Sequence, residues 1–332
     1  ISDYSQDIVL KADIISSVHS DHSAICLYIK CLPEWPKGKG FWKFNAKFLE
    51  QEKFVCDMKK KLKEWLVLYN DIKDKRVQWE LLKYEIRYYC MQYGSSCKSE
   101  ENVYTGNLLK RLKLLESQMN DKPCTETYVE VENVKEELKA LELEHAKGTF
   151  IRSRARYIEK GEKPTKYFFD LEKRNAIKKH IRKLILPGGT VTTDPQEISE
   201  YQRSFYTNLY KSSGKNNALE KQYFLDIPGP QLSEEDKQLC EGLLTVLECE
   251  NALKQFKVNK SPGNDGITIE FYRKFWDLLG NKMIDCFNFG FKQGELSTSQ
   301  RQAIITLIEK HGKNRLYLKN WRPISLLNVD YK

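Results

Sequence analysis

Apolar residues recur at spacings of three and four from Phe54 to Tyr89: Met58, Leu62, Trp65, Tyr69, Ile72, then Trp79, Leu82, Ile86 and Tyr89. One apolar stripe among Lys and Glu predicts helices that bury a single face, with core packing as the plain reading. Gly94-Ser95-Ser96 is expected to break the run. A second stripe follows at Leu108, Leu112, Leu115 and Met119, and a third at Val131, Val134, Leu138 and Leu141. Each covers only about two heptads, short of the ~3–4 that sustain a coiled coil. The pair therefore predicts an antiparallel helical hairpin with Pro123 in its turn.

The period changes at both ends of the chain. Residues 1–30 read as β structure ending in Ala24–Ile29, apolar on both faces and so suited to a buried sheet. Pro33, Pro36, Gly38 and Gly40 then mark a linker. Downstream, a small hairpin is expected around Pro187-Gly188-Gly189, then a helix opened at Asp194-Pro195. Residues 211–230 read as a polar, flexible loop, and Ser233-Glu-Glu-Asp opens a further helix with acids in its first turn. Lys260-Ser-Pro-Gly-Asn-Asp265-Gly266 is turn chemistry, ahead of a helix marked by Ile269, Tyr272, Trp276 and Leu279. Ala303–Ile308 and Trp321–Leu327 read as two strands of a hairpin, with Pro323 confining the second to an edge or a strand start.

Charge adds one localised feature. The 332 residues sum to +9, and residues 147–183 alone hold thirteen Lys and Arg against four acids, again +9. A local excess of this size points to phosphate. Within it Arg152, Arg154, Arg156, Lys166, Lys178 and Lys179 interleave with Tyr157, Tyr167, Phe168 and Phe169. That mixture suits single-stranded nucleic acid, where cations meet phosphates and aromatics stack on bases. The same residues equally fit a helix with its aromatics in a core and its lysines in solvent. Nine scattered cysteines contain no Cys-x-x-Cys pair, which points away from zinc and toward reduced thiols inside the cell. No apolar run reaches the ~18 residues of a membrane span, and no signal peptide opens the sequence.

Two small groups carry candidate chemistry. The hairpin would hold Lys310 on one arm and Arg322 on the other, a point charge and a planar fork suited to a polyphosphate. Near the start, Asp21-His22 sets a carboxylate beside an imidazole, which fixes the ring's tautomer and raises its basicity. Paired surface cations and a loop Asp-His pair are each also ordinary surface features.

Longer strings narrow the reading. "KSPGNDGITIEFYRKFW", "ITLIEKHGK" and "NWRPISLLNVDYK", in this order, resemble the opening motifs of the reverse transcriptase domain of LINE-type, non-LTR retrotransposons, in their LINE-1-like branch. "SDHSAICLYI" resembles the closing motif of the apurinic-type endonuclease in the same elements, and "GFWKFNAKFL" and "GEKPTKYFFDLEKRN" resemble segments between the two. The resemblance implies an α+β, mostly helical chain. Its parts would be the β tail of an endonuclease α/β sandwich (1–32), a helical linker (33–146), a basic nucleic-acid-binding segment (147–183), an N-terminal extension of the polymerase fingers (184–257) and the start of a right-hand polymerase (258–332). It assigns the incoming nucleotide's triphosphate to Lys310 and Arg322, the template to Lys260, Ser261, Gly263, Asp265 and Gly266, and endonuclease roles to Asp21 and His22.

The resemblance further implies target-primed reverse transcription by the parent protein. Its partners would be an RNA template, target DNA and deoxynucleotides, its cofactor Mg²⁺, and its place the nucleus and cytoplasmic ribonucleoprotein. One departure is Glu309, where the family usually has proline; an acid there is expected to weaken the potential around Lys310. The carboxylates that hold the polymerase metals have no counterpart in these residues beyond Asp265 and Asp330, so residues 1–332 alone are expected neither to bind metal nor to polymerise. The competing expectation is a non-enzymatic RNA-binding remnant.

Overall fold

The computed structural model describes residues 9–15, 24–29, 40–153, 180–212, 218–227, 229 and 231–332. Asp21, His22, Arg154, Arg156, Lys166, Lys178 and Lys179 lie outside them. Arg152 falls in the last turn of a described helix, but its side chain lies outside the described part.

In chain order the described elements are strands β1 (Val9–Ile15) and β2 (Ala24–Ile29) and helices α1 (Glu52–Leu68), α2 (Lys75–Asp121) and α3 (Thr125–Ser153). Then come β3 (Leu184–Ile185), β4 (Val191–Thr192), α4 (Pro195–Tyr210), α5 (Ala218–Leu225), α6 (Glu234–Cys240) and α7 (Val246–Gln255). The last are α8 (Ile269–Lys274), α9 (Trp276–Gln293), β5 (Ala303–Glu309) and β6 (Trp321–Leu327). No helix among them is long and apolar enough to cross a membrane. The chain forms two compact units, residues 1–40 with 91–180 and residues 41–90 with 181–332.

In the first unit, β1 and β2 pair antiparallel from Ile15↔Ala24 to Val9↔Ile29, with an irregularity between Val9 and Lys11. The sheet is not the buried one expected from Ala24–Ile29: Ile25, Leu27 and Ile29 are exposed, as are Leu10 and Ile14. Two strands cannot bury both of their own faces, and among the described residues no second layer covers them. The helical hairpin does form. Leu108, Leu112 and Leu115 of α2 pack with Val131, Val134 and Leu138 of α3, and Met119 and Leu141 close the cluster. Gly94 does not break α2, because one glycine costs a helix interior only about 1 kcal/mol relative to Ala. Good helix formers on both sides outweigh it.

The second unit holds α1, the part of α2 through Cys90, and the described elements from β3 onward. The stripe expected over 54–89 is divided at Tyr69–Asp74, where Asp74 accepts the Arg76 backbone N–H and its carboxylate takes the Arg76 guanidinium at 2.8 Å. That guanidinium holds the Asp74 carboxyl down at about 2. Phe54, Met58 and Leu62 of α1 and Trp79, Leu82 and Ile86 of α2 are fully buried, as are Phe271 and Phe275. Phe44 joins this core, its ring 5.1 Å from that of Phe271 and edge-on.

Local caps follow the sequence. Asp194 caps α4 ahead of Pro195, Ser233 caps α6, and Thr245 with Glu248 forms a capping box on α7. Within 211–230, expected to be irregular, α5 carries exposed Tyr223, Phe224 and Leu225. Ile185 N–H donates to the Leu316 carbonyl at 2.9 Å, joining the β3–β4 turn to the loop between β5 and β6.

Candidate nucleic-acid interface

The polar run 260–266 is held from three sides. Gly263 lies so close to residues 327 and 328 that a Cβ there would come within 2.2 Å of Asn328 Oδ1 and 2.4 Å of its backbone nitrogen. Gly266 has φ +75°, and a Cβ on it would meet Trp42 at 2.4 Å. Its carbonyl accepts the Phe44 N–H at 2.9 Å, laying segment 41–44 along the loop. Both glycines are thus needed for close approach, and only Gly266 also for its backbone angles.

The third hold is a buried ion cluster. Lys83, on α2, directs its ammonium to Asp265 Oδ2 at 3.2 Å and Asp330 Oδ2 at 2.9 Å, and also contacts Ser299 Oγ. All three charged side chains are nearly sealed from solvent. Asp330 Oδ2 further accepts the Trp79 indole N–H at 2.8 Å, and the next residue, Glu80, accepts from the Ser299 N–H and hydroxyl. The Asp265 N–H donates to Asn328 Oδ1 at 3.2 Å, and Asp265 Oδ1 accepts the Ile267 N–H at 3.1 Å.

Burial pushes the Asp265 carboxyl up to about 6 against the pull of Lys83, with Asp330 adding repulsion. Burial by itself would depress the Lys83 ammonium, yet Asp330, Asp265 and Glu80 together leave it raised. The cluster is therefore an ammonium held by a surplus of acid. Asp265 and Asp330, the carboxylates that stand beside the motifs, each spend an oxygen on that ammonium. Among the described residues no three His, Cys, Asp or Glu side chains converge for a metal, and a carboxylate pair bound to Lys⁺ does not suit Mg²⁺.

The hairpin forms in full register. β5 and β6 pair from Ala303↔Leu327 to Glu309↔Trp321, Leu307 faces Pro323, and Ile308 faces Arg322. Lys310 N–H donates to the Asn320 carbonyl at 2.9 Å, adding one rung. Period-two alternation then puts Ile308, Lys310, Arg322 and Ile324 on one face. The other face buries Trp321 with Leu318, Leu184, Ile198 and Tyr206, and Leu307 packs against them.

The two cations differ in their surroundings. Lys310 Nζ donates to the Lys319 carbonyl at 2.8 Å. Arg322 is exposed beside Ile308 and Ile324 and makes no ion pair among the described residues. Glu309 turns to Arg315 at 3.6 Å, whose guanidinium also lies 5.4 Å from the Trp321 ring centre. The acid beside Lys310 is thus engaged elsewhere, because neighbours on a strand point to opposite faces.

Of the residues expected at a template, Lys260 is exposed and Ser261 half-buried, whereas Gly263, Asp265 and Gly266 are buried and shape the loop from within. Lys83, Trp79, Glu80 and Asn328 escaped sequence reasoning. Trp79 was visible only as an apolar stripe position, and a single Lys on a charged helix carries no signal of its own.

No protein-family model matches the chain. It is 33% identical over 313 residues, 94% of its length, to the transposon TX1 uncharacterized 149 kDa protein of Xenopus laevis. The match covers 24% of that protein, so the chain spans about a quarter of its relative. The similarity is to a protein of a transposon.

Proposed function

We propose that this chain is part of a LINE-type element's reverse-transcribing protein, contributing polymerase fingers and the helices that brace them. In this reading the parent nicks target DNA and copies its RNA from the exposed 3′ hydroxyl. Arg322 and, more weakly, Lys310 hold the deoxynucleotide triphosphate. Lys260 and Ser261 meet the template on a loop shaped by Gly263, Asp265 and Gly266. The segment containing Arg152, Arg154, Arg156, Lys166, Lys178 and Lys179 binds RNA, and Asp21 and His22 belong to the nicking function. Mg²⁺ would be held by other residues of the parent, since Asp265 and Asp330 are committed to Lys83.

The observation that carries the reading is Arg322, exposed on a hairpin face, without an acid partner among the described residues, on a motif whose resemblance implies a triphosphate contact. The relative's transposon origin is consistent with it.

Primer extension by the full-length protein is the test. A charge-assisted contact contributes about 1.5–3 kcal/mol, so Arg322→Ala should lower kcat/KM for deoxynucleotides about ten- to a hundredfold. Arg322→Lys should recover part of that, since a point charge lacks the fork, and Lys310→Ala should cost less. Loss of thermal stability and template affinity together, with nucleotide KM unchanged, would make Arg322 structural and sink the assignment. A protein that binds RNA but never extends a primer would favour the non-enzymatic alternative.

A further inference from the structure

A concave surface of about 600 Å³ lies beside the 260–266 loop, lined by Phe41, Asn264, Gln302 and the first residues of β5, Ala303–Ile305. Phe41 is 69% exposed, although Phe44, three residues on, is core. Hydrogen bonding between Phe44 and Gly266 and the close approach of Trp42 to Gly266 fix the segment carrying it. Asn264 Nδ2 donates to Gln302 Oε1 at 3.1 Å. That bond leaves Asn264 Oδ1 as an acceptor and Gln302 Nε2 as a donor, side by side.

A cation neighbours the lining residue Asn264 without itself lining the surface. Arg87 lies 5.7 Å from the Trp42 ring centre and donates to the Asn264 carbonyl at 3.3 Å. It pairs with no carboxylate among the described residues, so most of its donors remain available.

We infer that this surface is a subsite for one nucleotide of a single-stranded nucleic acid: the base stacks on Phe41, its edge meets the Asn264–Gln302 amide pair, and its phosphate meets Arg87. An aromatic face, an adjacent donor and acceptor, and an unneutralised guanidinium are the complement of a nucleotide. A peptide strand added along β5 would use the backbone edge and leave Arg87 and the amides idle. The inference rests on the nucleic-acid reading above and names where the strand entering the fingers is gripped.

The test uses the whole chain and single-stranded RNA of about twelve nucleotides carrying 5-iodouridine, which cross-links to stacked aromatics on irradiation. Mass spectrometry should place a cross-link at Phe41. At about 0.3 M salt, where the basic segment contributes least, Phe41→Ala should weaken binding about five- to 150-fold, Phe41→Trp should restore it, and Phe224→Ala, at an exposed aromatic elsewhere, should leave it unchanged. RNA bound without a Phe41 cross-link and indifferent to Phe41→Ala would overturn the subsite while leaving the triphosphate assignment standing. RNA not bound at all, even at low salt, would overturn both the subsite and the RNA-binding reading it rests on. Phe41 is exposed, so equal melting temperatures for Phe41→Ala and wild type should accompany the comparison.

Discussion

Replacing Lys83 by Met tests the buried cluster directly. Methionine fills nearly the same volume but removes the charge that Asp265 and Asp330 share at 3.2 and 2.9 Å. Breaking a buried pair by deleting one partner costs about 3–5 kcal/mol, because the remaining charge stays desolvated. Here two carboxylates remain, so the upper part of that range is expected. The signal should appear in hydrogen exchange at the amides of Asp265 and Ile267, both bonded inside the cluster. Their exchange should quicken roughly a thousand- to a few thousandfold, at 1.4 kcal/mol per decade.

The pH dependence has a defined sign. The Asp265 carboxyl is raised in the folded protein to about 6, above its unfolded value near 3.9, so the folded state binds the proton more tightly. Stability contributed by this group falls as pH rises through that window. Lys83, also raised, adds stability that is complete below its unfolded value and is lost at alkaline pH as the folded value is passed. Without the ammonium the Asp265 value climbs further, so Lys83→Met should regain stability on acidification more steeply than wild type. Asp265→Asn and Asp330→Asn added to Lys83→Met should recover most of the loss. A cost under about 1 kcal/mol, or no recovery in the triple variant, would refute the argument that buried charge holds the loop.

Other outcomes follow from single features. Leu112→Ala empties a fully buried position in the α2–α3 hairpin and should cost about 2–5 kcal/mol, seen as faster hydrogen exchange in both helices. Gly266→Ala combines φ +75° with a collision at Trp42 and should cost about 1–3 kcal/mol or more, lowering the melting temperature. RNA affinity should fall with salt at a log–log slope of about −0.7 per phosphate neutralised, flattening when Arg152, Arg154, Arg156, Lys178 and Lys179 become Ala. Residues 1–332 alone, given primed template, Mg²⁺ and deoxynucleotides, should incorporate nothing above a no-protein control.

Sequence legibility followed the range of the interactions involved. The stripes at Leu108–Met119 and Val131–Leu141, the caps at Asp194 and Ser233 and the β5–β6 hairpin are set by neighbours in sequence, and they were readable there. Gly94 misled because a local penalty was weighed without the long helix around it. Glu309 misled in the same way: sequence adjacency to Lys310 stood in for spatial adjacency, and the strand turned the acid toward Arg315. The Lys83 cluster was invisible because its partners stand 182 and 247 positions away. Asp265 and Asp330 drew notice as carboxylates, but nothing in their surroundings disclosed that one lysine would claim both.

The residues between Phe41 and Cys90 share a compact unit with 181–332, although 90 residues separate the two stretches in the chain. That arrangement limits how such a protein can be cut or recombined. A piece beginning at residue 184 or 258, where the motifs invite a boundary, would lose α1 and the start of α2. It would bare Phe271, Tyr272 and Phe275 and strand two interior aspartates without their counter-ion. Exchange of residues 181–332 between related chains should succeed only when both stretches travel together, which makes the segment ahead of the recognisable motifs part of the heritable unit.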